Sequence, residues 1–104
     1  MNKEMFGLSP NEIRMINGVF EKFPQVHEVV IYGSRAKGNF KPYSDIDLSL
    51  TGQHLSQKLL FEIELSLDDL MLPYIFDLNL KRQITNPEFI NHIDRVGKLF
   101  YKKI

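Results

Sequence analysis

The sequence contains no cysteine, no long apolar run and no net charge, and each absence excludes a class of protein. Without cysteine there is no disulfide framework and no thiolate nucleophile, so we expect a cytoplasmic protein. The longest apolar run, Leu70 to Phe76, is interrupted by Pro73 and is far shorter than the ~20 residues of a membrane helix. The opening segment MNKEMFGLSP lacks the apolar core of a signal peptide. The balance of 13 basic and 13 acidic residues removes the simplest argument for direct nucleic-acid binding.

The composition that remains is typical of one globular domain spanning residues 1–104, with 43% hydrophobic and 25% charged side chains. Its acidic residues are concentrated in residues 45–80, which hold seven acidic groups and one basic group. Four of the seven belong to a predicted helix and are expected on its solvated face. The other three, Asp45, Asp47 and Asp77, lie among the apolar residues of predicted strands, where that explanation fails.

The apolar periodicity predicts the order α-β-(short α)-β-α-β-α-(β). Ser9-Pro10-Asn11-Glu12 has the capping-box pattern of a helix start, and Pro24 ends that helix. The further predicted elements are strands over 26–32, 45–51 and 74–80, a helix from about 55 to 70, and a helix from Asn86-Pro87 to Val96. After Gly97 the pattern fits either a continuing helix or a strand over 98–101, and we favour the strand with Gly97 as the C′ residue. The fold class is therefore α/β (α+β), with a mixed three- to four-stranded sheet flanked by helices.

The segment VVIYGSRAKGNFKPYSDIDLSL carries the features that suggest chemistry. Gly33 permits a sharp turn after a strand, and Ser34 is expected to cap a short helix that Gly38 ends. Free N–H groups at such a helix start bind phosphate well. Arg35 in the first turn opposes the helix dipole by a few tenths of a kcal/mol unless an anion lies nearby, which suggests a site.

Asp45 and Asp47 follow at positions i and i+2 of a strand, so their carboxylates leave the same face with Cα atoms ~6.6 Å apart. Asp77 would join them if its strand is adjacent to theirs. Two carboxylates ~5 Å apart repel each other by about 3 kcal/mol at an effective dielectric of 20, so protons or cations must neutralise them. An all-oxygen ligand set without cysteine favours Mg²⁺ or Mn²⁺.

The combination of GSRAKG with SDIDLSL resembles the signature of the polymerase-β-type nucleotidyltransferase superfamily. Within it, the minimal nucleotidyltransferase (MNT) domains, antitoxin partners of HEPN-domain proteins, are the most similar. The segments PYIFDLNL and IDRVGKLFY resemble the family's third-aspartate strand and its usual ending. The resemblance covers nearly the whole chain and implies the nucleotidyltransferase (polymerase-β palm-like) fold.

The resemblance also implies the roles of individual residues. Gly33 and Ser34 would hold the triphosphate of an NTP, ATP by analogy, and Arg35 and Lys37 would contact phosphate. Asp45 and Asp47 would bind two Mg²⁺ ions, with Asp77 completing the metal site. The reaction would be in-line attack of a hydroxyl on the α-phosphorus, with transfer of NMP and release of pyrophosphate.

The resemblance further implies an acceptor on another chain. Larger relatives carry a domain that holds the acceptor, and this length leaves no room for one. A HEPN-domain partner, which would be AMPylated and silenced, or a second copy of this chain would therefore shape the site. The protein would then be the antitoxin of a toxin–antitoxin pair.

Other functions remain open on the sequence alone. A nucleotide-binding or steric antitoxin would neutralise its partner without catalysis, and a small-molecule transferase of the antibiotic-modifying type shares the same motif. A phosphatase of the haloacid-dehalogenase type also uses Asp-x-Asp but places it after an apolar strand, whereas here the polar loop NFKPYS precedes it. The three histidines are scattered, and we expect no catalytic role for them.

Overall fold

A computed structural model of the chain describes residues 4–104; residues 1–3, the start of the segment considered for a signal peptide, lie outside the described residues. The predicted order of elements is confirmed, including the final strand. The elements are α1 Pro10–Glu21, β1 Val26–Tyr32, α2 Gly33–Lys37, β2 Ile46–Gly52, α3 Gln57–Asp68, β3 Phe76–Leu80, a 3₁₀ turn Lys81–Gln83, α4 Pro87–Val96 and β4 Lys98–Lys102. None of the helices in residues 4–104 has the length and apolar character needed to cross a membrane.

The start of α1 is set by local hydrogen bonds. The Ser9 hydroxyl accepts from the Glu12 backbone N–H at 3.1 Å, and the Glu12 carboxylate accepts from the Ser9 backbone N–H at 2.9 Å. The predicted capping box is therefore confirmed, and it satisfies N–H groups that have no partner within the helix.

The sheet is mixed, with strand order β3-β2-β1-β4. Strand β1 lies antiparallel to both β2 and β4, whereas β2 and β3 run parallel. The parallel pair is joined by α3, because parallel neighbours need a crossover connection. The order places β1 and β2 at the centre and makes β3 and β4 the edges.

One face of the sheet carries the hydrophobic core. Alternate residues of β2 are fully buried, as the strand periodicity predicted, and they pack with apolar residues of α1 and α3 in one cluster. The members from the two central strands are Val26, Val29, Ile31, Ile46, Leu48 and Leu50. Because side chains alternate along a strand, the residues between them project from the opposite face, over which α4 packs against β1.

Gly97 ends α4 for a reason that the sequence did not show. Its φ is −64°, so it does not adopt the left-handed conformation of a C′ glycine. A Cβ at this position would instead lie 2.4 Å from the Ile93 carbonyl oxygen and 2.5 Å from Val30 Cγ1. Glycine is needed here because β4 turns back closely past α4 to pair with β1.

Candidate active site

The three acidic strand residues lie at one end of the face opposite the core. Asp47 of β2 pairs directly with Asp77 of the parallel neighbour β3, and Tyr32 of β1 pairs with Asp47 from the other side. Directly paired residues project from the same face of a sheet. We call Tyr32, Asp47 and Asp77, together with Asp45 just before β2, the acidic row. The expected adjacency of the two aspartate-bearing strands is thus observed.

Gly33 begins α2 directly beside this row. Its φ of +74° lies in the left-handed region, and a Cβ would fall 2.3 Å from Asp47 Oδ2. Glycine is therefore needed twice, for the backbone conformation and for the approach of the carboxylate. The chain turns at Gly33 so tightly that the start of α2 lies against Asp47.

The carboxyl of Asp47 has an altered acidity. Its pKa is raised from 3.8 to about 6, first by burial and then by the negative charges of Asp77 and Asp45, while the Arg35 guanidinium acts in the opposite direction. Asp45 and Asp77 are exposed, whereas Asp47 is only partly accessible. The row therefore holds negative charge that lacks a cationic partner, since the ion pair found in the described residues joins Lys81 to Asp94 elsewhere.

Arg35, which the resemblance implies contacts phosphate, is buried, with 2% of its surface exposed. Its Nη1 donates to the Phe6 carbonyl at 2.8 Å, Nε to the Ser44 carbonyl at 3.0 Å and Nη2 to the Pro42 carbonyl at 3.3 Å. The guanidinium also lies 5.4 Å from the Phe40 ring centroid and 5.0 Å from that of Tyr74. With its donors engaged by carbonyls, Arg35 ties the N-terminal segment to the loop that leads into Asp45.

The rest of the short helix differs in one detail from expectation. The N-cap of α2 is Tyr32, without a side-chain capping bond, so Ser34 lies within the first turn rather than capping the helix. Gly38 ends the helix in the left-handed conformation with φ of +92°, as expected. Ser34 is half-buried and Lys37 is exposed at the end of the helix.

A hydrogen-bonded chain lies next to the acidic row and was missed by the sequence analysis. The Ser49 hydroxyl donates to Asn79 Oδ1 at 2.7 Å, and Asn79 Nδ2 donates to the Tyr32 hydroxyl at 2.8 Å. Each member has a place in the motif: Ser49 and Asn79 stand two residues after Asp47 and Asp77, and Tyr32 precedes Gly33. Because side chains alternate along a strand, Ser49 and Asn79 project from the same face as the acidic row. This spacing is the feature of the sequence from which their proximity could have been predicted.

The donor set suits a hard divalent cation only in part. Within residues 4–104, no three His, Asp or Glu side chains come together as a closed metal-binding group. The paired Asp47 and Asp77, with Asp45 nearby, nevertheless supply carboxylate oxygens that form no ion pair with a basic side chain of residues 4–104. Mg²⁺ commonly binds to one or two carboxylates and takes its other ligands from water and substrate phosphates. The residues therefore fit an ion that arrives with a nucleotide.

A mixed sheet that places an Asp-x-Asp strand beside a glycine turn defines a nucleotidyltransferase-type domain. The family model described as "Polymerase beta, Nucleotidyltransferase" matches residues 14–103, and the chain belongs to this family. A comparison with curated protein sequences finds no significant match.

Solved structures share the fold at low sequence identity. A toxin–antitoxin crystal structure with AMP-PNP aligns with a TM-score of 0.68 and 19% identity, over 89% of this chain and 73% of that one. A tri-AMPylated Shewanella oneidensis HEPN toxin in complex with its MNT antitoxin gives 0.63 and 18%, over 89% and 71% of the two chains. A presumed nucleotidyltransferase from Sulfolobus solfataricus gives 0.52 and 24%, over 99% and 93%. The predicted resemblance to MNT domains is thus confirmed for the fold, which is what alignments at these identities establish.

Proposed function

We propose that this protein is a divalent-metal-dependent nucleotidyltransferase that transfers AMP from ATP to a hydroxyl of a HEPN-domain partner. In this proposal Asp45, Asp47 and Asp77 hold Mg²⁺, and Gly33 and Ser34 hold the triphosphate. Lys37 supplies a flexible positive charge at the far end of α2. The protein acts in the cytoplasm as the antitoxin of a toxin–antitoxin pair.

The observation that carries the proposal is the direct pairing of Asp47 with Asp77 beside the turn at Gly33. It places carboxylates from two strands next to the start of α2. The metal ion of a metal–triphosphate complex bound there would supply positive charge to these carboxylates. Burial and the neighbouring carboxylates raise the pKa of Asp47 to about 6, and a bound cation would act in the opposite direction by favouring the ionised form.

The proposed reaction needs little covalent chemistry from the protein. The acceptor oxygen forms a bond to the α-phosphorus, the bond to the β-phosphate breaks, and pyrophosphate leaves. The hydroxyl proton passes to a carboxylate of the row or to water. A bound divalent ion supplies positive charge to the phosphates, and the chain holds the reactants in line.

The partner is proposed from the family resemblance and from the form of the site. Asp45 and Asp77 are exposed, so these carboxylates of the acidic row are accessible to an acceptor carried by another molecule. The structures with AMP-PNP and with an AMPylated HEPN toxin share this fold, and they support a nucleotide and a HEPN protein as the first reactants to test.

The test is to incubate the purified chain with Mg²⁺ and the HEPN-domain protein encoded beside it, using ATP labelled at either the α- or the γ-phosphate. We expect label on the partner from α-labelled ATP and none from γ-labelled ATP, because pyrophosphate leaves. The variant D45N/D47N should transfer no label. The variant D68N/D69N is a matched control, since it removes two exposed charges near the end of α3 and should transfer at the wild-type rate.

Different failures have different meanings. Neutralisation of the partner by D45N/D47N, without label on any protein, would replace the proposal with a steric antitoxin. Label transferred to a small hydroxyl compound and not to protein would indicate the small-molecule transferase. Label from γ-labelled ATP would contradict nucleotidyl transfer altogether.

A further inference from the structure

The hydrogen-bonded chain beside the acidic row spans three strands. Tyr32 belongs to β1 and Asn79 to β3, with β2 between them, yet their side chains meet at 2.8 Å. The Tyr32 ring therefore crosses over β2 in the region of Asp47 and Ser49. Tyr32 is only 6% exposed, and the rings of Phe89 and His92 in α4 hold it edge-on at centroid distances of 5.6 and 6.1 Å.

The hydrogen bonds among Ser49, Asn79 and Tyr32 all run in one donor-to-acceptor direction. Ser49 donates to the Asn79 carbonyl, which leaves the Asn79 amide to donate to the Tyr32 oxygen. The Tyr32 hydroxyl thus receives a hydrogen bond and keeps its own proton, for which residues 4–104 provide no hydrogen-bonded acceptor. A buried hydroxyl with an undonated proton normally finds a partner.

Two carboxylates of the acidic row, those of Asp47 and Asp77, lie on the same face as this proton, and Asp77 is the exposed one. It stands two residues before Asn79 on the same face of β3, and its exposed carboxylate on an edge strand receives no hydrogen bond from residues 4–104. A phenol has an ordinary pKa of about 10, so the Tyr32 hydroxyl keeps its proton at neutral pH. Tyr32 is therefore a donor at neutral pH, not a base.

We infer that Tyr32 is a positioning residue of the active site: held by Asn79 and Ser49, its hydroxyl donates to the Asp77 carboxylate and fixes it in the acidic row. The inference rests on the proposed function, because it assigns Tyr32 a role toward a proposed ligand of the metal ion. Hydrogen bonds of this kind orient the carboxylates and imidazoles that bind metals, and their loss commonly costs 10–100-fold in metal affinity or activity.

The experiment uses the full chain and two readouts. The first is the affinity for Mn²⁺ in the presence of ATP without any acceptor, measured by electron paramagnetic resonance. The second is the rate of AMP transfer to the HEPN partner at saturating ATP. The variants are Tyr32→Phe, which removes only the hydroxyl, Asn79→Ala, which releases it without altering the ring, and each of these combined with Asp77→Ala.

We expect Tyr32→Phe and Asn79→Ala each to weaken Mn²⁺ binding and lower kcat by about 10-fold, with the KM for ATP changed by less than about 2-fold. In the Asp77→Ala background neither substitution should have a further effect, since the group on which they act is gone. If Tyr32 had a purely structural role, its substitution would lower the melting temperature. Its effect on Mn²⁺ affinity would then be the same with and without Asp77, so the coupling energy between the two residues would be zero.

Two results would overturn the inference. One is a Mn²⁺ affinity of Tyr32→Phe equal to that of the wild type. The other is a double variant whose loss of Mn²⁺ affinity equals the product of the losses in Tyr32→Phe and Asp77→Ala. Absence of transfer by the wild-type chain would contradict the proposed function, whereas the Mn²⁺ titrations would still decide the role of Tyr32. Should Tyr32→Phe fail to fold, Asn79→Ala gives the same comparison.

Discussion

Gly33 and Asp47 lie so close that a single added carbon would collide with the carboxylate: a Cβ on residue 33 would be 2.3 Å from Asp47 Oδ2. The turn after β1 and the Asp47 carboxylate of the acidic row are therefore parts of one candidate site. Any side chain at residue 33 must displace either α2 or Asp47.

Gly33→Ala should lower the free energy of unfolding by about 2–3 kcal/mol, because the left-handed φ and the steric conflict both oppose it. It should also abolish nucleotide binding, since Asp47 must move. Gly38→Ala is the matched control: its φ is +92°, but no atom of residues 4–104 lies within 4 Å of an added Cβ. We expect it to cost about 1–2 kcal/mol and to leave nucleotide binding unchanged. Urea denaturation measures the stability of each variant, and ATP titration measures its nucleotide binding. Equal effects of the two variants would contradict the close approach of Asp47 to Gly33.

Asp47→Asn should stabilise the protein at neutral pH. The folded state raises the pKa of Asp47 from 3.8 to about 6, so the folded protein binds the proton more tightly than the unfolded chain. That contribution to stability is complete below the unfolded value and is lost as the pH rises through the folded value. Removing the charge should recover about 1–2 kcal/mol at pH 7–8, after allowance for solvent screening. Urea denaturation of both proteins at pH 4 and pH 8 tests this, and a constant difference between them would contradict it.

Binding of Mn²⁺ with ATP should weaken as the pH falls through about 6, because protons compete with the cation for Asp47. Calorimetry in buffers of different ionisation enthalpy should show proton release on binding at pH 6 and little at pH 8. The Asp45→Asn variant, which retains Asp47, should bind more weakly and show a smaller proton release at pH 6, because the charge of Asp45 contributes to the raised pKa of Asp47. Binding that is independent of pH between 5 and 8 would argue against Asp47 as a ligand.

Arg35→Lys should destabilise the fold by about 2–4 kcal/mol, although it conserves the charge, because an ammonium cannot serve three carbonyls spread over residues 6, 42 and 44. Lys37→Met, at an exposed position of the same helix, should change stability by less than about 0.5 kcal/mol. Thermal and urea denaturation measure the difference. A larger loss of stability in Lys37→Met than in Arg35→Lys would contradict the structural role of Arg35.

The order of elements could be predicted because each is set by local signals. The capping box at Ser9 and Glu12, the glycine that ends α2 and the alternation of Ile46, Leu48 and Leu50 all depend on residues close in the chain. The predicted bounds of β1 agree with the structure, whereas β3 begins at Phe76, two residues later than predicted. Helix α3 begins at Gln57, after an N-cap at Ser56.

The sequence did not show contacts between distant segments. Arg35 donates to the carbonyl of Phe6, which lies 29 residues earlier, as well as to those of Pro42 and Ser44. Gly97 was explained by its conformation, which was wrong, and it is needed for its close approach to the Ile93 carbonyl and to Val30. The contacts with Phe6 and Val30 cannot be read from the residues near Arg35 and Gly97 in the chain.

By itself, the sequence determined that aspartates would project from the polar faces of two strands and that a glycine turn would precede them, since alternation and turn chemistry act within a few residues. Only the tertiary structure decided that Asp47 pairs with Asp77, that Tyr32 reaches over β2 to Asn79, and that Arg35 faces inward. The physical reason is that strand order and register are set by how the apolar faces of all elements fill one core, and no local pattern contains that information.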